Sequence, residues 1–324
     1  MVNHKGFWSK LKKPLYVLAP MANVTDVAFR EMFAKYGKPD VFWTEFVSSD
    51  GLCSPRKEML LRDLEFDKKS QRPIVAQLFT SHPEKMEESA RLVRSLGFDG
   101  IDINMGCPDR AVEKQGAGSA HIKNPSRAKE IIESARRGAP SLPITVKTRL
   151  GYNKIEIENW IKFLLEQKLP VLTIHMRTRK EMSDVPAHWE LMPEIVRLRN
   201  EISPETLIIG NGDIVSMEDG KKKIEESGCD GVMVGRGIFG NPWFFSGKTL
   251  NDIPPKERLK VMLEHARLFD QKLGDIKNFA IMKKHFKAYV SGWDGAKELR
   301  VKLMEAKNLK EVEEIVKDYL KMLK

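Results

Sequence analysis

Short apolar runs alternate with longer amphipathic stretches over the first three quarters of the chain. Runs of four or five residues have the length of a buried strand, and we predict strands at residues 15–18, 41–44, 74–78, 100–104, 144–147, 171–175, 207–210 and 231–234. The stretches between them have helical spacing, and we predict helices that end at residue 36 and that span 83–95, 126–137, 156–167, 192–200 and 217–226. The pattern therefore predicts eight strands separated by helices.

Strands that alternate with helices of ten or more residues are typical of parallel βαβ units. Eight such units fill the usual size of a closed (β/α)8 TIM barrel, which is the fold we predict. An open doubly wound sheet is the alternative. Such a sheet usually has phosphate-binding glycines after its first strand, whereas residues 19–22 read Ala-Pro-Met-Ala.

The strand pattern stops near residue 251, and Pro254-Pro255 interrupts the chain there. We predict four helices beyond that point, at residues 256–273, 278–290, 295–306 and 309–323. Apolar spacing such as Ile315, Tyr319 and Leu323 indicates amphipathic helices that pack on one another. We therefore expect a barrel domain over residues 1–250 and a small C-terminal helical bundle over residues 251–324.

Composition and charge narrow the function classes. The formal net charge is +10, and residues 256–324 hold 17 Lys and Arg against 11 Asp and Glu, so this last fifth carries +6. That balance favours a polyanionic partner that contacts the helical region. The chain begins without the apolar run of a signal peptide, and no stretch reaches the roughly 18 apolar residues of a membrane span. We expect a cytoplasmic monomer that does not associate with membranes.

Three cysteines, Cys53, Cys107 and Cys229, lack the spacing of a disulfide framework or a metal site, so we expect no bound metal. Cys107 stands out because it follows the predicted strand 100–104 and lies in a loop with Gly106, Pro108, Gly116 and Gly118. A thiol at this place can meet a ligand, but free cysteines are also often small buried hydrophobes. The loop is thus a candidate active-site element.

Chemistry in a barrel of this kind lies at the C-terminal ends of the strands. Those ends here carry polar or backbone-exposing groups, namely Pro20-Met21, Thr44-Glu45, Gln77, Asn104 with Cys107, Lys147, His175, Asn211-Gly212-Asp213 and Gly235-Arg236-Gly237. Amides and a lysine can bind the polar edge of a flat heterocycle, and glycines after strands seven and eight commonly bind phosphate. A flavin mononucleotide has both parts. Residues 235–240 also fit GxGxxG, but no long helix or second βαβ unit follows, so we interpret them as a phosphate site of the barrel.

Taken together, the motifs of this chain resemble the tRNA-dihydrouridine synthases. The matching residues are Ala19-Pro20-Met21-Ala22, Ala76-Gln77-Leu78, Asn104-Met105-Gly106-Cys107-Pro108, Gly116-Ala117-Gly118, Val146-Lys147-Thr148-Arg149, His175-Met176-Arg177-Thr178-Arg179, Asn211-Gly212-Asp213 and Gly235-Arg236-Gly237. The resemblance implies an FMN enzyme that uses NADPH to reduce the C5–C6 double bond of particular uridines in tRNA. Met176 and His121 depart from the residues that are usual in the family at these positions.

The resemblance also implies roles for individual residues. Cys107 would be the general acid that protonates C5 while reduced flavin delivers hydride to C6. The cofactor-binding residues would be Pro20, Met21, Ala22, Gln77, Asn104, Lys147, His175, Asn211, Gly212, Asp213, Gly235 and Arg236. The tRNA-binding residues would be Arg177, Arg179, Lys283, Lys284, His285 and Lys287.

Three other functions are compatible with parts of the sequence. An FMN barrel that acts on a free pyrimidine, as dihydroorotate and dihydropyrimidine dehydrogenases do, would not need the basic helical region. An aldolase-like barrel with a Schiff base on Lys147 would be colourless. A flavin-less RNA-binding protein would not need Cys107, Lys147 and His175 together.

Overall fold

Eight parallel strands form a closed barrel in the computed structural model, which describes residues 5–322. The strands are β1 (Leu15–Leu18), β2 (Phe42–Ser48), β3 (Ile74–Phe79), β4 (Gly100–Met105), β5 (Ile144–Arg149), β6 (Val171–His175), β7 (Leu207–Asn211) and β8 (Gly231–Val234). Each strand pairs with the next in sequence from β2 to β8, and β8 pairs with β1. A parallel bridge between Val17 and Val41 closes the ring.

Helices follow the strands and surround the barrel. They are α1 (Val27–Tyr36), α2 (Ser49–Leu52), α3 (Lys57–Leu61), α4 (Pro83–Leu96), α5 (Arg110–Lys114), α6 (Pro125–Gly138), α7 (Lys162–Glu166), α8 (Met192–Ile202), α9 (Met217–Ser227), α10 (Pro255–Leu273), α11 (Met282–Tyr289), α12 (Ala296–Glu305) and α13 (Leu309–Met322). The predicted (β/α)8 barrel with a C-terminal helical region is therefore confirmed. No helix within residues 5–322 is long and apolar enough to cross a bilayer.

Alternating positions on each strand separate two environments. On β4, Ile101 and Ile103 join the apolar core beneath the surrounding helices. Asp102 and Asn104 alternate with them, and their partners in the sheet register are Gln77 and Thr145 for Asp102 and Lys147 for Asn104. Side chains on successive strand residues point to opposite faces, so these polar groups meet inside the barrel.

Some elements differ from the sequence-based predictions. β2 runs on to Ser48, and the short helices α2 and α3 follow it where no element was predicted. A π turn at Ile157–Ile161 replaces the start of the predicted helix 156–167, and a 3-10 turn at Phe279–Ile281 precedes α11. These segments are too short for a clear helical period. Leu323, the predicted end of the last helix, lies outside the described residues.

The C-terminal helices share an apolar cluster with the barrel. Leu259, Phe269, Met282 and Phe286 are buried with Met32 of α1. Two ion pairs cross the same boundary, one between Lys277 and Glu45 and one between Lys35 and Glu264. The helical region is thus packed against α1 and tied to strand β2.

Candidate active site

A cavity of about 550 Å³ opens at the C-terminal ends of the strands. It is lined by Ala19, Pro20, Met21, Lys147, His175, Arg177, Ser183, Asn211, Gly212, Asp213, Ile214, Val215, Gly235, Arg236 and Gly237. Three cationic side chains, those of Lys147, Arg177 and Arg236, stand against the single carboxylate of Asp213 in this lining. The cavity therefore has the charge balance of a site for an anion.

Tight backbone turns shape the side of the cavity formed after β7 and β8. Gly212 has φ +127°, and a Cβ there would lie 2.9 Å from the Cβ of Ala187 and 3.2 Å from Cδ2 of His175. A Cβ on Gly237 would lie 2.2 Å from the carbonyl oxygen of Ile214. A short 3-10 helix, Arg236–Ile238, begins here, and the first backbone N–H groups of such a turn have no partner within it. Glycine is thus required where backbone approaches the cavity.

Asp213 orients two arginines toward this side. Its carboxylate pairs with Arg177 through Oδ2 and with Nη2 of Arg236 through Oδ1 at 3.1 Å. The Ala187 N–H also donates to Oδ2 at 2.9 Å. A carboxylate repels phosphate, so Asp213 serves to hold the two guanidinium groups rather than to contact an anion.

His175 and Lys147 provide the polar groups at the ends of β6 and β5. Nη1 of Arg177 lies 3.1 Å from Nε2 of His175 and can only donate, so we assign the imidazole proton to Nδ1. Burial and the charges of Arg149, Lys147, Arg177 and Arg236 hold the His175 pKa well below its ordinary value, so the ring is neutral. Burial, with the charge of Arg149, lowers the pKa of Lys147 to about 8. Lys147 is thus charged at neutral pH and loses its proton in mildly basic solution.

The loop that carries Cys107 is fixed by Asn104. Oδ1 of Asn104 accepts hydrogen bonds from the backbone N–H groups of Gly106 at 3.1 Å and of Cys107 at 2.9 Å. The thiol is half-buried beside Val112 and Ala117. Burial raises the Cys107 pKa above its ordinary value, so the sulfur keeps its proton at neutral pH.

A second set of contacts holds the same loop from its far end. Ser119 donates its backbone N–H to the Cys107 carbonyl at 3.0 Å, and its hydroxyl lies 2.8 Å from Oε1 of Glu113. Nε of Arg179 donates to both carboxylate oxygens of Glu113 at 2.9 Å. Nε of Arg149 donates to the Gly106 carbonyl at 2.8 Å. The loop after β4 is thereby tied to the loop after β6.

Nine of the twelve predicted cofactor-binding residues line the cavity, and three do not. Ala22 is exposed on the loop after β1. Gln77 is fully buried, and its Oε1 accepts a hydrogen bond from Nδ2 of Asn104 at 3.0 Å. Asn104 is 6% exposed and carries the Cys107 loop. Gln77 and Asn104 are therefore buried next to the Cys107 loop, and cofactor binding by all twelve residues stays a prediction.

The comparisons with known proteins agree on one family. A family model described as "Dihydrouridine synthase (Dus)" matches residues 17–324. A "Probable tRNA-dihydrouridine synthase" of Staphylococcus aureus (strain COL) is 42% identical over 97% of this chain and 96% of that protein. A "Probable tRNA-dihydrouridine synthase 2" of Bacillus subtilis (strain 168) is also 42% identical, over 97% of both chains. The chain belongs to the dihydrouridine synthase family. The resemblance found in the motifs is thereby confirmed.

Solved structures add a likeness of fold only. Histamine dehydrogenase from Rhizobium sp. 4-9 aligns with a TM-score of 0.52 at 12% identity and covers 78% of this chain and 48% of that one. A complex of 2-naphthoyl-CoA reductase aligns with a TM-score of 0.52 at 10% identity and covers 75% and 50%. At these identities the similarity concerns the barrel and not the reaction.

Two predicted tRNA-binding residues lie away from the outer surface of the protein. His285 is 1% exposed and lies against the rings of His265 and Phe29, with centroid distances of 4.8 and 5.4 Å. It belongs to the buried stripe of α11, which repeats at helical spacing, so it offers no surface to RNA. Arg177 has a side chain that is 3% exposed, and it lines the cavity between His175 and Asp213. The burial of His285 argues against its direct contact with RNA, whereas RNA contact by Arg177 stays a prediction.

The other predicted tRNA contacts keep some exposure. Lys287 is exposed, and Lys283 and Lys284 are half-buried on the same helix. The Arg179 side chain is 25% exposed while it pairs with Glu113. RNA contact by these four residues stays a prediction.

Sequence reasoning missed several residues that build the site. Arg149 was noted only as part of a motif, although its position at the end of β5 is itself a signal of function. Glu113 pairs with Arg179, which lies 66 residues further along the chain, and no local sequence pattern predicts that pair. Ser183 lines the cavity from the loop after β6, where Trp189 also donates Nε1–H to the Gly212 carbonyl at 2.8 Å.

Proposed function

We propose that this chain is an FMN-dependent tRNA-dihydrouridine synthase that reduces the C5–C6 double bond of specific uridines in tRNA with NADPH as the reductant. The observation that carries the proposal is the cationic cavity at the C-terminal ends of the strands on a barrel of this family, with the half-buried Cys107 on the loop after β4. Membership of the family supports the reaction, and the geometry supports the division of labour described below.

The residues of the cavity fit a flavin mononucleotide. Gly212 and Gly237 line the cavity, so their backbone N–H groups would be able to approach the phosphate. Arg236 would add its charge there, and Asp213 would keep that guanidinium in place. Lys147 and the Nδ1–H of neutral His175 would hold the polar edge of the ring, with Pro20, Met21, Asn211 and Gly235 around them. When bound, reduced FMN supplies the hydride that reaches C6 of the uracil.

Cys107 would supply the proton to C5 of the uracil. Addition of hydride at C6 builds negative charge at C5 and O4, so an acid must stand near C5. The raised pKa keeps the Sγ proton available at neutral pH, and Asn104 holds the backbone of the loop that carries it. Cys107 would regain its proton from solvent after turnover.

The helical region would bind the tRNA. A uridine stacked in folded RNA cannot reach the cavity, so the enzyme must hold the RNA and draw the base out. We propose that residues 1–250 form the catalytic barrel and residues 251–324 the tRNA-binding domain, with Lys283, Lys284 and Lys287 of α11 facing phosphates and Arg179 beside the cavity. Because tRNA is the substrate, we place the enzyme in the cytoplasm, and we expect it to act as a monomer.

Flavin reoxidation tests the function. The purified protein, loaded with FMN and reduced anaerobically by NADPH, is mixed with unmodified tRNA or with free uridine while flavin absorbance is followed. We expect tRNA to reoxidise the flavin and free uridine to leave it reduced. Reoxidation by a free pyrimidine alone would favour a small-molecule dehydrogenase, and a protein that binds no FMN would refute the proposal.

A further inference from the structure

Below the Cys107 loop, three buried side chains inside the barrel form one hydrogen-bonded chain. Oδ2 of Asp102 accepts a hydrogen bond from Nε2 of Gln77 at 2.6 Å. Oε1 of Gln77 accepts a hydrogen bond from Nδ2 of Asn104 at 3.0 Å. Asp102 and Gln77 are fully buried, and Asn104 is 6% exposed. We call these three residues the amide relay.

The relay has a direction that its first member sets. Burial raises the pKa of Asp102 to about 6, so at neutral pH the carboxylate is ionised, only accepts hydrogen bonds and requires Gln77 to turn its NH₂ toward it. Its oxygen then faces Asn104, which must turn its own NH₂ toward Gln77. The Asn104 oxygen is left to accept the N–H groups of Gly106 and Cys107. A reversed amide at either step would place two donors or two acceptors face to face.

Asp102 is held in this role from its other side. The Thr145 hydroxyl donates to Oδ1 at 2.5 Å, so both carboxylate oxygens have partners. The register places Gln77 on β3 and Thr145 on β5 beside Asp102 on β4. A buried carboxyl group is costly unless its oxygens are hydrogen-bonded, and the sheet supplies one donor from each neighbouring strand.

We propose that Asp102 is a positioning residue that fixes the orientation of Gln77 and Asn104 and thereby holds the Cys107 loop in the geometry needed for proton donation. The catalytic meaning of this inference rests on the proposed function. The ordering of the loop by Asp102, a carboxylate that does not line the cavity, is independent of the proposed function.

Two substitutions at one position separate this role from simple burial of a charge. Asp102→Leu removes the acceptor and keeps the approximate volume. Because the buried Gln77 NH₂ and the Thr145 hydroxyl lose their acceptor, we expect a lower melting temperature. Asp102→Asn also removes the charge but can still accept from Gln77, provided that the Thr145 hydroxyl turns to accept from the new amide. The two variants therefore have the same net charge, but only Asp102→Leu removes the acceptor for the Gln77 NH₂.

The readout is the rate at which iodoacetamide alkylates Cys107, followed by mass spectrometry of its peptide. Cys53 and Cys229 lie away from the relay and serve as internal controls in the same digest. In Asp102→Leu we expect about tenfold faster alkylation of Cys107, the factor that corresponds to one lost hydrogen bond. In Asp102→Asn we expect a rate within about threefold of the wild type. With tRNA as substrate, kcat should fall in Asp102→Leu while KM is kept.

Gln77→Met breaks the same chain of hydrogen bonds at its middle residue, and it provides a second test in case Asp102→Leu does not fold. Because the two residues act in series, the double variant Asp102→Leu with Gln77→Met should alkylate no faster than Gln77→Met alone. A wild-type alkylation rate in folded Asp102→Leu or Gln77→Met, or rates that multiply in the double variant, would overturn the inference. If the alkylation pattern holds but the wild type shows no activity on tRNA, the proposed function fails and the positioning role stands.

Discussion

Lys277 joins the helical region to Glu45 in strand β2, and its removal has a predictable cost. Its ammonium lies 2.6 Å from Oε2 of Glu45 and 2.7 Å from Oδ1 of Asp63. The backbone N–H of Asn23, on the loop after β1, bonds the other oxygen of Glu45. One lysine therefore connects the segment before α11 with the loop that borders the cavity. We predict that Lys277→Met destabilises the protein by about 3 kcal/mol, for the reasons that follow.

The magnitude follows from burial. The side chains of Lys277 and Glu45 are 13% and 5% exposed, so water screens the pair little. Removing one partner of a buried ion pair typically costs 3–5 kcal/mol, because an unpaired charge is left behind. Asp63 is 24% exposed and can gain some hydration, which places the expected loss near the lower end, at about 3 kcal/mol.

Urea unfolding monitored by circular dichroism measures the loss, and the same boundary supplies a control. Lys35 pairs with Glu264 at 2.5 Å, with side chains that are 58% and 32% exposed. Exposed pairs contribute about 0–1 kcal/mol, so Lys35→Met should change the free energy of unfolding by less than about 1 kcal/mol. Adding Glu45→Gln to Lys277→Met should recover most of the loss, because the unpaired charge is gone. Equal effects of Lys277→Met and Lys35→Met would refute the reasoning.

Three further predictions concern the proposed reaction. Cys107→Ala should keep FMN and tRNA affinity but lower turnover by about 10²–10³-fold, as expected for loss of a general acid, in single-turnover kinetics. FMN affinity should fall about tenfold between pH 7 and 9 as Lys147 loses its proton, while Lys147→Met should bind FMN equally weakly at both pH values by fluorescence titration. Lys283→Glu with Lys284→Glu should weaken tRNA binding about tenfold and reduce its salt dependence, with Lys317→Glu on α13 as the exposed control and NADPH oxidation unchanged.

Each of these three predictions has an outcome that contradicts it. Unchanged turnover in Cys107→Ala would remove the acid role. A pH dependence of FMN binding that persists in Lys147→Met would assign the titration to another group. Equal weakening by Lys317→Glu would mean that α11 is no special RNA surface.

The strand pattern could be predicted from sequence because each buried strand leaves a local signal. The predicted bounds of β8 agree with the observed Gly231–Val234, and Cys107 was correctly placed in a loop just past β4. Polar residues at strand ends were also predictable, since parallel strands in a barrel bring their C-terminal ends to one rim. Five of these polar residues do meet at one cavity, namely Lys147, His175, Asn211, Asp213 and Arg236.

The rest depends on contacts between distant parts of the chain. His285 was grouped with neighbouring lysines, although it shares the buried face of α11 with Met282, Phe286 and Tyr289. Arg177 has the residue type of an RNA contact, and only the fold reveals its bonds to His175 and Asp213. The direction of a side-chain amide such as Gln77 is decided by partners on neighbouring strands, which no local pattern encodes.

The measurement that tests the central claim most directly is mass spectrometric mapping of dihydrouridine in an unmodified tRNA transcript. The transcript is incubated with the FMN-loaded enzyme and NADPH, in parallel with Cys107→Ala. Each reduced uridine gains two hydrogens, so its nucleotide becomes heavier by their mass. We predict this gain at one or a few uridines with the wild type and little or none with Cys107→Ala. A transcript left unmodified by the flavin-loaded wild type, or equal modification by Cys107→Ala, would contradict the account.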